Sequence, residues 1–591
     1  MDANIILDKL NSEQKKAVKC TEGPLLVFAG AGSGKTRVIT NRIAYLIIEK
    51  GVRPNNILAV TFTKKAAGEM QERVVELLKE LKVPSQSLPT IGTFHSIGAM
   101  ILRQNAKELG LTNHFSIYDS KDTENVIKEL LLERDIDIKQ IKPSSVSTYI
   151  SSAKNEMIPP EKFSSHYGGY IEDVVAQIYP EYQKQLKAQN SVDFGDLLYL
   201  TVKLLSEDEN VRKRYQDLYR YILIDEYQDT NFAQYKFARL LSEKHNNICV
   251  VGDDDQGIYA WRGANIKNIQ SFESDFKNVT VVKLEQNYRS TKNVIRAAVE
   301  VIEQNNSRVE KVLWTDNNDG ESITIYQASD QANEADYVVE QTRLLQQVGI
   351  SLKDIAVLYR TNYQSRAIEE ALLKTGMPYK LVGGFRFYER KEIKDIIAYL
   401  KLVCNPDDTL SFDRVINTPR RGIGEKTLEK IKTCAEEKNL SLMETLAQPL
   451  EIPGISNKIA DKLEEFYGMI NFLTILAMDH TPMQDIIGNL IDTSGYAEDL
   501  KKNNPIDAEA RIENIEELRS LALEFEKEGG ESLEDFLAAI ALVQDNDDLD
   551  NSEVVLLMTY HGAKGLEFPV VFMTGMEEGV FPSYRSETPE E

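Results

Sequence analysis

Cysteine is scarce in this chain, four in 591 residues, and no two form a CxxC pair. Six histidines are scattered without ligand spacing. That pattern argues against a disulfide framework and against structural zinc. Long apolar runs are absent as well. Stretches such as Tyr221–Ile224 and 554–558 are far too short to cross a bilayer. The N-terminus, MDANIILDKLNSEQ, has no basic region followed by an apolar stretch, so no signal peptide is expected. Together these absences predict a cytoplasmic protein with no membrane partner. Positive charge is also outnumbered: 69 Lys and Arg face 93 Asp and Glu, a net charge of -24. An acidic whole counts against nucleic acid. At this length the inference is weak, because a basic groove can sit inside an acidic protein and backbone N–H groups and hydroxyls also bind phosphates.

What is present is the composition of a soluble globular protein, 42% hydrophobic and 27% charged, long enough for about four domains. The first third alternates short apolar strands with helical patterns: strands at 24–29, 57–61, 221–224, 248–251 and 280–284, helices at 35–48 and 64–81. Such alternation implies a parallel sheet with helices on both faces. Residues 111–190 are helical and polar, like an insertion. A second alternation starts near Val281, with strands at 322–326 and 355–359 flanking a helix at 332–347. Residues 387–549 are again helical and charged, and strands return at 554–558 and 570–573. The acidic stretch 545–550 would be an exit linker. The pattern predicts two α/β domains, each interrupted by a helical insertion.

The chemistry concentrates in a few segments. Residues 29–36 read AGAGSGKT after a strand and at the start of a helix. Apart from Ala29, where the strict P-loop pattern has Gly, this is a phosphate-binding loop. Gly30, Gly32 and Gly34, with Ala31 and Ser33 between them, let backbone N–H groups turn toward phosphates. Lys35 would reach the β and γ phosphates and Thr36 would hold Mg²⁺. ILIDEYQDT (222–230) delivers two carboxylates to a strand's C-terminal end, where open α/β sheets bind ligands. Asp225 would hold the metal through water, and Glu226 would act as general base. A solvated strand end is the alternative for this pair. Gln256, after the next strand, is placed to sense a γ-phosphate. Arg289 in LEQNYRS is a candidate arginine finger, or else a surface ion pair. Tyr288 is a candidate adenine stack, or else a core tyrosine. Gln14, after a helix cap at Asn11 or Ser12, has the donor and acceptor to read an adenine edge.

Residues 251–264, VGDDDQGIYAWRGA, join an acidic end suited to metal–phosphate chemistry to an aromatic and arginine end suited to stacking on bases. Phe62, Phe194, Tyr259 and Trp261 are candidate platforms. The alternative for all four is burial in a core, most plausibly for Phe194. TPRRGIG (418–424) offers Gly422, Gly424 and Thr427 at a helix start, a phosphate contact or simply a capped turn.

Those segments, together with LNSEQKKAV, TFTKKAA (61–67), GTFHS (92–96), VLYRTN (357–362), GGFRFYERKEIKD (383–395) and TYHGAKGLEF (559–568), span nearly the whole chain. In that order they resemble the superfamily 1A DNA helicases of the PcrA/UvrD/Rep group, with insertions of the lengths expected of its PcrA branch. The resemblance implies an α/β fold of two RecA-like P-loop motor domains, each with a mainly helical insertion: motor 1A at 1–110 and 191–281, insertion 1B at 111–190, motor 2A at 282–386 and 551–591, insertion 2B at 387–550. It implies an ATP- and Mg²⁺-dependent, DNA-stimulated ATPase that moves 3′ to 5′ on single-stranded DNA by closure of its motors, and unwinds duplex at junctions in repair or replication. Adenine recognition falls on Gln14, Arg37 and Tyr288, metal binding on Thr36 and Asp225, and phosphate chemistry on Lys35, Glu226, Gln256 and Arg289. Glu567 would contact the ribose or couple to the γ-phosphate site. Strand contacts fall on Thr61, Phe62, Thr63, His95, Phe194, Tyr259, Trp261, Arg262, Arg360, Asn362, Arg390 and His561, and duplex contacts on Gly422, Gly424 and Thr427. His95 and His561 have an ordinary satisfied histidine as their alternative.

Three positions depart from the family: Lys64 stands where Asn is common, and Gly257 and Ala260 replace the commoner Ser and Arg. The family continues past Glu591 with a segment carrying a second arginine finger, and often a tail that meets repair, replication or RNA polymerase partners. Against that pattern the chain reads as C-terminally truncated. The alternative function is therefore a fragment that binds nucleotide and DNA without efficient turnover.

Overall fold

In the computed structural model, residues 4–582 are described apart from 82–87, 261–262, 306–307, 383–387, 389, 439, 504–507, 528 and 542–552. The chain divides into two units. The first takes Met1–Gln286, Ser307–Val312 and Phe387–Leu542, and the second takes Asn287–Asn306, Leu313–Arg386 and Val543–Glu591.

The strands of the first unit are β1 (Leu25–Ala29), β2 (Ile57–Thr61), β3 (Thr90–Thr93), β4 (Ser116–Tyr118), β5 (Ser191–Asp193), β6 (Tyr221–Ile224), β7 (Ile248–Gly252) and β8 (Thr280–Leu284). Six of them form one parallel sheet in the order β3-β2-β6-β7-β1-β8. The strands look continuously apolar in sequence because both sheet faces are covered. Leu25, Val27 and Ala29 pack with the helices Ser12–Lys19, Lys35–Ile48 and Lys64–Glu80. Leu26 and Phe28, pointing the other way, pack with Phe94–Gln104, Asp196–Glu207 and Phe232–Ser242. Each large side chain so buried contributes about 1.5–3 kcal/mol. Side-chain caps then start helices close behind their strands: Thr63 accepts from the Ala66 N–H after β2, and Thr93 from the Ser96 N–H after β3. Residues between strand end and cap are thereby held at the C-terminal rim of the sheet.

Residues from Tyr118 to Leu186 build a separate core. The chain enters and leaves that region through the parallel pair β4 and β5. Behind β5, the buried Lys154 ammonium lies 2.5 Å from Asp193 and 2.9 Å from Asp196. The helices of Phe387–Leu542 enclose another core. They join the rest of the unit through polar contacts, including Lys394–Asp119 and Lys401–Asp122, both at 2.9 Å, and through Ala538, which is buried with Leu102 and Phe115.

The second unit carries β9 (Ile355–Tyr359), β10 (Tyr379–Leu381), β11 (Val555–Thr559) and β12 (Val570–Met573), a parallel sheet in the order β10-β11-β9-β12. The helix expected at 332–347 forms as Gln331–Gln347. The strand expected at 322–326 does not form. Its alternating Ile323 and Ile325 are 57% and 93% exposed, and among the described residues no strand pairs with it. An apolar alternation makes a strand only where a ladder and a face to bury exist. No helix among the described residues is long and apolar enough to cross a membrane.

Two glycines test the packing. A Cβ on Gly98 would stand 2.5 Å from the Leu197 carbonyl oxygen, whereas one on Gly68, inside the helix Lys64–Glu80, would meet nothing within 4 Å. Gly98→Ala is therefore expected to destabilise by about 1–3 kcal/mol, and Gly68→Ala to stabilise by about 0.4–1 kcal/mol. Calorimetric unfolding of the two variants, with shifts of opposite sign, checks this.

Candidate active site

The loop after β1 closes on itself. Ser33 N–H and Oγ both donate to the Gly30 carbonyl, at 3.2 and 2.7 Å. Gly32 and Gly34 take φ of 63° and 85°, a region that costs other residues strain. Ala29, in place of the glycine of the strict pattern, is the buried last residue of β1 and needs no such freedom. Gly34 caps the helix Lys35–Ile48, whose first turn presents Lys35 and Thr36. Gln14 is fully buried against this loop. Its Nε2 donates to the Ser33 carbonyl at 2.9 Å, and its Oε1 accepts the Asn11 N–H at 3.1 Å, so Asn11 is the cap. Arg42, from the loop's helix, donates to the Ala17 carbonyl and ties the Gln14 helix to it.

The loop lysine faces the strand-end carboxylates. Lys35 Nζ lies 2.9 and 3.0 Å from the two Glu226 oxygens and 3.4 Å from Gln256 Oε1. Gln256 Nε2 donates to Asp253 Oδ2 at 2.6 Å. The Asp253 N–H donates to Gln228 Oε1 at 3.0 Å, and Gln228 Nε2 donates to Glu226 Oε2 at 2.6 Å. The result is a closed ring: Lys35, Gln256, Asp253, Gln228, Glu226. Glu226 sits at φ 50°, a strained backbone of the kind found at functional sites. Desolvation works to lower the Lys35 pKa, but Glu226, Asp225 and Asp253 outweigh it and raise it. The ammonium is therefore charged across the neutral range.

Asp225 is buried, and desolvation together with Glu226 raises its pKa to about 7. Two adjacent carboxylates with one lysine leave negative charge uncompensated. That is the donor set a hard divalent cation fits, with Asp225 and the Thr36 hydroxyl as the residues that would hold Mg²⁺. The acidic end of the β7 loop is different. Asp253, Asp254 and Asp255 bring their oxygens close enough to share a cation, but Lys311 already fills that place. Its Nζ lies 2.5 Å from Asp253 and 3.0 Å from Asp255, and it also contacts Asp254. The reading of this triad as metal–phosphate chemistry is corrected accordingly: it is a protein-neutralised anchor.

Candidate strand contacts gather on the same rim. Phe62, just past β2, stacks on Tyr259 with centroids 5.8 Å apart and planes 6° apart. His95 lies 3.9 Å from the Phe194 ring. Phe194 is 36% exposed, so burial in a core, the alternative to its reading as a stacking platform, does not hold. Desolvation lowers the His95 pKa to about 3, which keeps the imidazole neutral. Thr61 is buried and donates to the Thr63 carbonyl. Trp261 and Arg262 lie outside the described residues. Gly422, at φ 78°, gives its N–H to Asn417 Oδ1 at 3.1 Å, and the Thr427 N–H donates to the Gly424 carbonyl at 2.9 Å, both at the start of helix Glu425–Lys438. Arg390 donates to Asn514.

Within the second unit, Arg289 Nε lies 2.5 Å from Glu567, both side chains largely exposed. The finger candidate and the ribose candidate are thus an ion pair in this structure. Tyr288 is 41% exposed and is not a core tyrosine. Arg360 and Asn362 follow β9, and His561 follows β11, at the C-terminal ends of the two central strands. Reasoning from sequence missed Gln228 and Lys311. Gln228 had a signal in its place two residues after Glu226. Lys311 had none, being 58 residues from Asp253.

A P-loop lysine after β1, an acid pair after β6 and a glutamine after β7, the strand between them, define a RecA-like nucleotide-dependent motor. Comparison with known proteins narrows this. Residues 10–277 match the model of the UvrD/REP helicase N-terminal domain, and residues 282–591 that of the UvrD-like helicase C-terminal domain. The chain is 49% identical, over 99% of its length and 79% of the relative's, to the ATP-dependent DNA helicase PcrA of Bacillus subtilis. It is 44% identical to the PcrA proteins of Staphylococcus aureus and Staphylococcus epidermidis, over 99% of its own length and 80% of theirs. The chain belongs to the UvrD/REP helicase family.

The raised Asp225 pKa sets a pH dependence. Folding favours the protonated carboxyl, so a proton holds the site below about pH 7 and a cation can replace it above. Stabilisation by saturating Mg²⁺ without nucleotide is expected to be larger at pH 8 than at pH 6, and to vanish at both in Asp225→Asn. Thermal unfolding reads it; equal shifts at the two pH values would contradict the assignment.

Proposed function

We propose that the protein is a cytoplasmic ATP-dependent DNA helicase that translocates 3′ to 5′ on single-stranded DNA and unwinds duplex at junctions, in repair or replication. The observation that carries this reading is the ring that ties the Lys35–Glu226 pair through Gln256 to the loop bearing Tyr259. The triphosphate takes the place of Glu226 as the anion facing Lys35. Glu226, freed, accepts a proton from the water that attacks the γ-phosphorus as the bond to the leaving ADP oxygen breaks. Gln256 senses the γ-phosphate, Thr36 and Asp225 would hold Mg²⁺, which would offset the phosphate charge, and Arg289, paired with Glu567 in this structure, is the finger candidate. Gln14, Arg37 and Tyr288 recognise adenine. Phe62 with Tyr259, and His95 with Phe194, offer stacking surfaces indifferent to base identity. The division into motors 1A and 2A with insertions 1B and 2B belongs to the same proposal. Binding without turnover is the less favoured alternative, because Lys35, Glu226 and Gln256 are already assembled in one hydrogen-bonded ring.

Lys35→Ala and Glu226→Gln are each expected to cut single-strand-stimulated ATP hydrolysis by about 10²–10⁴-fold, with nucleotide binding kept in Glu226→Gln. Near-normal hydrolysis in either would refute the assignment. Unwinding of duplexes bearing a 3′ tail but not a 5′ tail checks the direction. Phe62→Ala is expected to weaken single-strand binding by about 1–3 kcal/mol whatever the sequence, measured by fluorescence titration on several oligonucleotides.

A further inference from the structure

We propose that Lys311 is a positioning residue for the sensor loop, its ammonium holding Asp253 in the orientation that aims Gln256 at Lys35. The inference rests on the ATPase reading for one of its two readouts. Lys311 belongs by sequence to a stretch flanked on both sides by the second unit, yet residues 307–312 are part of the first. Its side chain is 1% exposed and touches all three aspartates. The geometry at Asp253 is divided. Oδ1 takes the Lys311 ammonium at 2.5 Å and the Asp255 N–H at 3.2 Å, and Oδ2 takes Gln256 Nε2 at 2.6 Å. The orientation of one carboxylate thus sets both its neutralisation by Lys311 and the direction of the sensor amide, whose Oε1 lies 3.4 Å from Lys35. The same aspartate's N–H orients Gln228, which holds Glu226.

Other groups serve the triad without touching Asp253. Arg308 Nε lies 3.3 Å from Asp255, and the Val309 N–H donates to Asp254 at 2.6 Å. Losing the Lys311 ammonium would leave three carboxylates in mutual repulsion around one buried point. Asp253 would then turn from Gln256 toward whatever cation or water replaces it. Desolvation acts to lower the Lys311 pKa, but Asp253 and Asp254 outweigh it and raise it, so the clamp stays charged throughout the working range.

The test compares Lys311→Met with Arg308→Met in the full chain. Both remove one positive charge from the same cluster, and only the first frees Asp253. Lys311→Met is expected to lower single-strand-stimulated kcat by about 10–100-fold, the scale of a misplaced catalytic group, with the KM for ATP little changed. Arg308→Met is expected to stay within about threefold of the parent. Added to Gln256→Ala, Lys311→Met should cost less than about twofold more, since both act through one contact. Hydrogen exchange at the Asp255 and Gln256 amides should accelerate in Lys311→Met alone, a readout that needs no turnover. Equal losses in the two single variants, or full additivity with Gln256→Ala, would overturn the inference. If Lys311→Met fails to fold, Lys311→Arg, which keeps the charge but moves it, is carried through the same cycle and exchange measurement. A parent chain with no strand-stimulated hydrolysis would instead sink the helicase reading, and hydrogen exchange would still decide the role of Lys311.

Discussion

One ammonium group, Lys35 Nζ, governs the arrangement at the rim of the first sheet. It stands at the start of a helix, among backbone dipoles that favour anions, and is only 12% exposed. A buried charge left without a partner costs several kcal/mol, so the surrounding residues are arranged to supply negative charge. Glu226 supplies it from a backbone held at positive φ. Gln228 and Gln256 fix the two carboxylate-facing sides of the ring through Asp253. In the proposed mechanism the same pairing would restrain the base. While bound to Lys35, Glu226 would be a poor proton acceptor, and a competing anion of higher charge, such as a triphosphate, would free it, linking hydrolytic competence to nucleotide binding through a single exchange of partners.

That arrangement gives the β7 loop a mechanical meaning. Its acidic residues do not work on phosphate. They are pinned by Lys311, Arg308 and the Val309 N–H, which makes the loop a fixed arm rather than a floppy connection. At one end of the arm Gln256 Oε1 lies 3.4 Å from Lys35, and three residues on, Tyr259 stacks on Phe62. In the proposed mechanism a shift of Gln256 would pass forward toward the aromatic pair, because Asp253 is anchored behind it.

Much of this was legible in the sequence, where the information is local. Strands covered on both faces appear as unbroken apolar runs, and the helix Lys35–Ile48 and the strand Val570–Met573 have the bounds the pattern predicts. Lys35, Asp225, Glu226 and Gln256 meet because each lies within a few residues of a strand end in one parallel sheet. What stayed hidden depends on distant partners. Nothing near Lys311 marks it as the neutralising charge for residues 58 positions away. Three consecutive aspartates look the same whether a metal or a lysine faces them. For Phe194 the sequence leaves a stacking platform and a core residue both open, and only the structure shows the ring exposed beside His95. The isoleucines of 322–326 alternate as a strand would, but alternation cannot say whether a neighbouring ladder is there.

The same distinction applies to the helices of Phe387–Leu542. Their folding rests on a core of their own, while matched charges help fix their placement beside the apolar contact of Ala538. Lys401, with desolvation acting against its ionisation, is held charged by Asp122, Asp408 and Asp119. Asn405 extends the end of the β4–β5 pair by donating to Ser116 and to the Asn190 carbonyl. His114 meets Glu534 at an exposed edge. Ion pairs of this kind contribute modestly to stability but strongly to register, because misaligned partners leave carboxylates and ammonium groups desolvated and unmatched. An apolar joint of similar size would slide or repack at little cost; a polar one has a single satisfied alignment. The helical segment is therefore an independently cored body joined to the rest of the first unit by matched charges and by an apolar contact in which Ala538 packs with Leu102 and Phe115.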